Sequence, residues 1–110
     1  MNDKELNTFK RKYLNLTKRL IKNAIIHDSN TTHEHRELVC FICEWLRNNN
    51  YVFYTKVYTK LGEIVDIVAP GLPYPFIEIR HSEKDKKKEY RSEYDKLRIF
   101  VDTDNPWGLL

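Results

Sequence analysis

Two carboxylates in this sequence stand where carboxylates are expensive. Asp66 is the centre of Ile64-Val65-Asp66-Ile67-Val68, and Glu78 is the centre of Phe76-Ile77-Glu78-Ile79-Arg80. An acid flanked by large hydrophobes is costly to bury unless something positive meets it. In extended chain, Glu78 and Arg80 share one face while Ile77 and Ile79 share the other. If the two segments are neighbouring strands, Asp66 falls within metal-bridging reach of Glu78. Two acids at that separation repel, and the remedies are a shared proton, a divalent cation such as Mg²⁺ or Mn²⁺, or a nearby arginine. A purely structural ion pair of Arg80 with Asp66 or Glu78 is the simpler alternative. Two acids in successive strands, with a base two residues after the second, favour the cation.

The elements that must position these groups are legible from periodicity. From Lys4 to Ile26 the residues Leu6, Phe9, Tyr13, Leu16 and Leu20 recur at steps of three or four, which predicts a basic amphipathic helix. A polar break over 27–32 follows, and Thr32 is a suitable N-cap for a second helix from His33 to Arg47, stopped by Asn48-Asn49-Asn50. The period then shortens to two. Strands are expected at Tyr51–Thr59, Glu63–Ala69 and Phe76–Arg80, with a hairpin turn at Lys60-Leu61-Gly62. Ser82 to Tyr94 reads as a charged helix and Leu97 to Val101 as a fourth strand. The order α-α-β-β-β-α-β implies an α/β fold with a mixed sheet flanked by helices.

At 100° per residue, Leu38, Phe41, Ile42, Trp45 and Leu46 define the apolar face of the second helix. Glu34 and His35 project from that side, so both are placed to approach Asp66. The alternative is that they merely decorate the helix N-terminus, where an acid is favourable anyway. Glu37 and Glu44 lie on the solvated side with Arg36 and Arg47. Cys40-Phe41-Ile42-Cys43 is a CxxC spacing in the middle of an apolar helix with no second pair, which reads as buried thiols and not as zinc or redox chemistry. Lys84, Lys86, Lys87, Lys88 and Arg91 form either a solvated helix face or, so close after the candidate site, contacts to a phosphate backbone. Lys56, on the first strand, is a further candidate for nucleic-acid contact near the acids.

Composition sets the outer limits. The 110 residues are 41% hydrophobic and 32% charged, which excludes a disordered tail, a fibrous repeat and a disulfide scaffold. The length suits one domain, with residues 1–30 as a helical extension packed on a core of 31–110. No apolar run approaches the ~20 residues of a membrane span, so no membrane partner and an intracellular, cytoplasmic location are expected. The net charge of +3 is unevenly spread: residues 1–30 carry +4, residues 31–79 carry −2, residues 80–98 carry +3 and the last twelve carry −2. Basic flanks around an acidic centre suit a protein that grips phosphates while holding a divalent cation.

This arrangement resembles the PD-(D/E)xK (restriction-endonuclease-like) nuclease superfamily, and most closely its archaeal Holliday-junction resolvases. The likeness runs from His33 to Asp102. It rests on Arg36-Glu37-Leu38-Val39 in the helix, on Val65-Asp66-Ile67-Val68-Ala69, on Phe76-Ile77-Glu78-Ile79-Arg80, and on the twelve-residue step between the two acids. The resemblance implies an αβββαβ core with an extra N-terminal helix, and a homodimer that hydrolyses phosphodiesters of DNA, branched or structured DNA in particular. No small-molecule cofactor is implied beyond Mg²⁺ or Mn²⁺. Asp66, Glu78 and the Ile79 carbonyl would hold the metal, with Glu34 or His35 from the helix, and Arg80 would be the catalytic cation. Two positions depart from the family pattern. Arg80 stands where the family has lysine, and it cannot shed a proton to a water. His35 falls where the family has glutamate, and imidazole suits a transition metal better than Mg²⁺. Two alternatives remain open: a nucleic-acid-binding protein of the same fold that no longer cleaves, and a protein-interaction or assembly factor that docks through its N-terminal helix.

Overall fold

The computed structural model describes residues 1–27, 31–80 and 93–103. Helix α1 spans Asp3–Tyr13 and helix α2 spans His33–Asn48. Strands β1 (Tyr54–Tyr58), β2 (Ile64–Val68), β3 (Phe76–Arg80) and β4 (Arg98–Asp102) form one sheet in the order β1-β2-β3-β4. The pairs β1–β2 and β2–β3 are antiparallel, while β3 and β4 are parallel. A parallel neighbour needs a long crossover, and the chain from 81 to 97 supplies it. The helix expected over Ser82–Tyr94 falls largely on residues 81–92, outside the described residues. Those nearer β4 are seen: Tyr94 is buried, and Asp95–Leu97 make a single 3₁₀ turn.

The two helices cover different faces. Leu38, Val39, Ile42, Cys43 and Leu46 of α2 pack on Phe53, Ile67, Ala69, Ile77, Ile79 and Val101. Across the sheet, Leu6 of α1 and Leu14 join Tyr54, Val57, Val65, Val68, Phe76 and Tyr94, with Phe9 and Tyr13 set edge-on to Phe76. The apolar side of α1 is therefore spent within the fold.

Three expectations need correction. The first helix ends at Tyr13 and does not reach Ile26. Leu14 is extended and bridges Thr59, Asn15 N–H donates to Tyr58 O, and Asn23 N–H donates to Phe53 O. The Asn15 side chain accepts from Thr17 N–H and Oγ1, a local turn that competes with helix. The apolar spacing at Leu16 was coincidental, since that side chain is half exposed. On α2 the buried face is rotated: Val39 and Cys43 face inward, Phe41 faces outward, and Trp45 is half-buried. Of the two thiols, only Cys43 is buried, its pKa pushed up to about 12 chiefly by that burial, while Cys40 is half-exposed. Finally, strand boundaries differ: β1 and β2 are shorter than expected, at Tyr54–Tyr58 and Ile64–Val68, and β4 is shifted by one residue to Arg98–Asp102.

Thr32 does cap α2, accepting from His35 N–H at 3.2 Å. Gly62, at φ +82, takes up the left-handed position of the β1–β2 turn that a side chain would strain.

Candidate functional site

The sheet loses its regularity at the two singled-out acids. In the β1–β2 ladder the pairs Tyr54–Val68 and Thr55–Ile67 are followed by Val57–Val65 and Tyr58–Ile64. The pair missing from the middle is Lys56 opposite Asp66. Lys56 has φ +51, left-handed backbone that costs a non-glycine residue about 1–3 kcal/mol. The facing of both strands switches there. Phe53 and Ile67 pack on the α2 side, whereas Val57 and Val65, of the same parity along their strands, pack on the α1 side. A residue out of β conformation lets the chain turn over once, so Lys56 and Asp66 mark one break running across two strands.

The β2–β3 ladder opens at the same level. Its backbone pairs are Ile67–Ile77 and Val68–Phe76. Beyond them the carboxylates replace the missing partners: Ile79 N–H donates to Asp66 Oδ2 at 2.8 Å, and Asp66 N–H donates to Glu78 Oε1 at 3.2 Å. Each acid thus reaches across the opening to the backbone of the other strand.

Their surroundings differ. Asp66 looks toward α2, where His35 Nε2 lies 3.3 Å from its Oδ1. His27, His35, Lys56 and Asp66, with Ile26, Thr31 and Val39, line a small cleft with about 20 Å³ of space, enough for one water or one ion. Contrary to the expectation that the two acids share one face, Glu78 alternates with Ile77 and Ile79 and so lies with Phe76 on the α1 side, under the influence of Arg98 and Glu63, buried with 6% of its surface exposed. Its pKa is pushed up to about 8, first by burial and then by the charge of Asp66, against the opposing pull of Arg98 and the Asp66 N–H bond.

The other candidates are distributed as follows. Glu34 is exposed and does not line the cleft, so of the two α2 residues it is His35 that meets Asp66. Glu37 pairs with His33 at 2.8 Å and Glu44 with Arg47 at 2.6 Å, both at the surface. Arg80 makes its ion pair with β4 and not with Asp66 or Glu78. Its Nε donates to Asp102 Oδ1 at 2.6 Å, and its guanidinium lies 5.2 Å from the centre of the Phe100 ring. The parallel register sets Arg80 beside Asp102, which explains the choice of partner. Ile79 contributes its N–H to Asp66. Lys84, Lys86, Lys87, Lys88 and Arg91 lie outside the described residues.

One functional group escaped the sequence reading. Arg98, almost wholly buried, donates from Nη2 to Glu63 Oε2, and its Nε lies 3.8 Å from Asp95 Oδ1. It is the buried cation nearest in influence to Glu78. The signal was present: a charged residue in the apolar run Leu97-Arg98-Ile99-Phe100-Val101 is the same anomaly that exposed Asp66 and Glu78.

Whether these donors suit a metal can be judged from their chemistry. Among the described residues no group of three or more His, Cys, Asp or Glu side chains is arranged to hold an ion, so an all-protein cage is not on offer. Mg²⁺ does not require one; it is commonly held by one or two carboxylates and completed by water and phosphate oxygens. Of these two acids, Glu78 has its pKa raised to about 8, first by burial and then by the charge of Asp66, and a cation between them would relieve both. Carboxylate oxygens are the hard donors that such a dication takes, and a single ion would have to sit in the opening between the two strands to reach both.

Comparison with protein-family models, with curated proteins and with solved structures gave no match to this chain.

Proposed function

We propose that this protein is a metal-dependent endonuclease of the restriction-endonuclease-like type that hydrolyses DNA phosphodiesters, with branched or structured DNA as its substrate class. The observation that carries the reading is that Asp66 and Glu78 border one opening between β2 and β3, each accepting a backbone N–H from the other strand. The three-strand antiparallel meander with β4 parallel to β3 is the sheet expected of that core.

Asp66 and Glu78 would hold Mg²⁺ or Mn²⁺, with the Ile79 carbonyl adjacent. When bound, the ion supplies Lewis-acid polarisation of the phosphate and a more acidic attacking water. The residues of the chain do the rest. Ile79 N–H fixes one oxygen of Asp66, leaving the other toward the cleft. His35, seated on the first turn of α2 by the Thr32 cap, orients that second oxygen. Arg98 limits the repulsion between the two acids by its positive charge near Glu78. Cutting both strands of DNA calls for two such sites, so the working form is a homodimer.

The test is a cleavage assay on plasmid and four-way-junction DNA with Mg²⁺ and with Mn²⁺. Metal-dependent nicking by the wild type, reduced at least 100-fold in Asp66→Asn and Glu78→Gln, supports the proposal. Absence of cleavage by homogeneous wild-type protein, or equal cleavage by Asp66→Asn, overturns it.

One observation favours a second reading. Arg80, the base that follows Glu78, is committed to Asp102, which suits a protein of this fold that holds DNA without cutting it. Salt-dependent DNA binding that is indifferent to metal, with no hydrolysis, selects that reading.

A further inference from the structure

A phosphate brought to the Asp66 cleft meets carboxylates, and a phosphodiester needs a counter-charge in addition to a bound ion. Arg80 cannot supply it from its position against Asp102. Arg98 is tied to Glu63 and Asp95 below the surface. Lys56 stands at the cleft itself. It lines the cleft with Asp66 and His35, sits opposite Asp66 in the β1–β2 register, and is half-buried. Its backbone is left-handed in mid-strand, where a bulky side chain is rarely found and the surrounding structure must impose it. That local turn is what places the Lys56 and Asp66 break on the α2 side, since the strands resume with Val57 and Val65 facing α1.

We propose that Lys56 is the cation that contacts the phosphate of a bound DNA strand at the Asp66 cleft, and that the left-handed kink of β1 serves to present it. The proposal rests on the nucleic-acid reading above and names a group that reading does not require. A lysine ammonium meets phosphate as a compact point charge on a flexible stem. During hydrolysis it would balance charge that builds on the phosphoryl oxygens without itself exchanging a proton.

Four variants test this: Lys56→Met, Lys56→Arg, Lys56→Gly and, as an exposed control, Lys60→Met. Binding of four-way-junction DNA is measured in Ca²⁺ across a range of salt, and cleavage in Mg²⁺. The expected result is that Lys56→Met lowers the slope of log affinity against log salt by about one, the signature of one lost phosphate contact. Cleavage falls about 100-fold, Lys56→Arg restores part of it, and Lys60→Met stays within about threefold of wild type. Lys56→Gly loses binding and cleavage as Lys56→Met does, yet melts a few degrees higher because the strain is gone, which separates function from folding. If wild type cleaves and Lys56→Met cleaves equally with an unchanged salt slope, Lys56 is not the contact and the endonuclease reading stands. If wild type never cleaves, that reading falls, and the salt slope alone decides for or against Lys56.

Discussion

On one side of β3 the sheet is regular, and on the other it is not. Toward β4 the parallel register runs through five consecutive pairs, from Phe76–Arg98 to Arg80–Asp102, and Ile77, Ile79 and Val101 fill the α2 side without interruption. Toward β2 the register stops after two pairs, and carboxylates take up the N–H groups that the neighbouring strand leaves. Both borders are made from the same five residues of β3. The difference lies in the partner: β4 offers backbone at every step, whereas β2 turns over at Asp66. Regular ladders hold a sheet together, and an opened ladder exposes polar backbone and acids that can be used for something else. The expense of the opened side, a kinked Lys56 and a strongly perturbed Glu78, is borne by the closed side.

That contrast can be broken from either border. The largest effect is expected on the regular side, where Ile77→Ala removes a fully buried side chain from the α2 core. A loss of about 2–5 kcal/mol in denaturant unfolding is expected; a change below about 1 kcal/mol would mean that the β3–β4 side does not anchor the fold. Next comes Arg98→Met, which strands Glu63 and takes away the positive charge opposing Glu78. A destabilisation of about 3 kcal/mol is expected in the same measurement.

A smaller effect of opposite sign belongs to the open side. Glu78 has a folded pKa near 8 against an ordinary 4.5, so the folded state holds a proton that the unfolded chain releases. The contribution of Glu78 to stability without metal is full below about pH 4.5, declines as pH rises toward 8, and is level above that, because the folded protein then carries the buried charge. Glu78→Gln removes this decline and is expected to be more stable than wild type at pH 9, on the order of 2 kcal/mol by thermal or urea unfolding. Equal slopes for the two proteins between pH 5 and 8 would show that Glu78 is not perturbed. The mildest change is Asp66→Asn. It keeps an oxygen for Ile79 N–H while removing a charge, so the Glu78 carboxyl, followed by ¹³C NMR, should titrate lower than in wild type but still above its ordinary range, since burial is the larger cause.

How much of this was legible beforehand follows the range of the interactions involved. The α2 helix, the three-strand meander and the fourth strand are written in local periodicity, and Thr32 and Gly62 mark boundaries by their own chemistry. Asp66 and Glu78 were visible because an acid among β-branched residues violates local pattern. What failed was non-local. Residues 14–26 look helical in isolation, but the N–H groups of Asn15, Asn23 and Ile26 are claimed by β1 and the chain beside it. The inward turn of Val39 and Cys43 in place of Phe41 depends on how α2 rolls on the sheet. Arg80 chose Asp102 because of a parallel register twenty-two residues away, and no spacing rule inside β3 could show that. The kink at Lys56 has little signature in Tyr54-Thr55-Lys56-Val57-Tyr58, where four strong strand formers surround one lysine of only mildly lower β-propensity. The break in the sheet is therefore half legible, through its acid, and half hidden, through its lysine.

The most direct trial of the central claim is a crystal soaked in Mn²⁺ and measured for anomalous scattering. The result expected is a peak in the opening between β2 and β3, bonded to carboxylate oxygens of both Asp66 and Glu78 and lost in Asp66→Asn. A peak bound elsewhere, or none between those two side chains at saturating Mn²⁺, would contradict it.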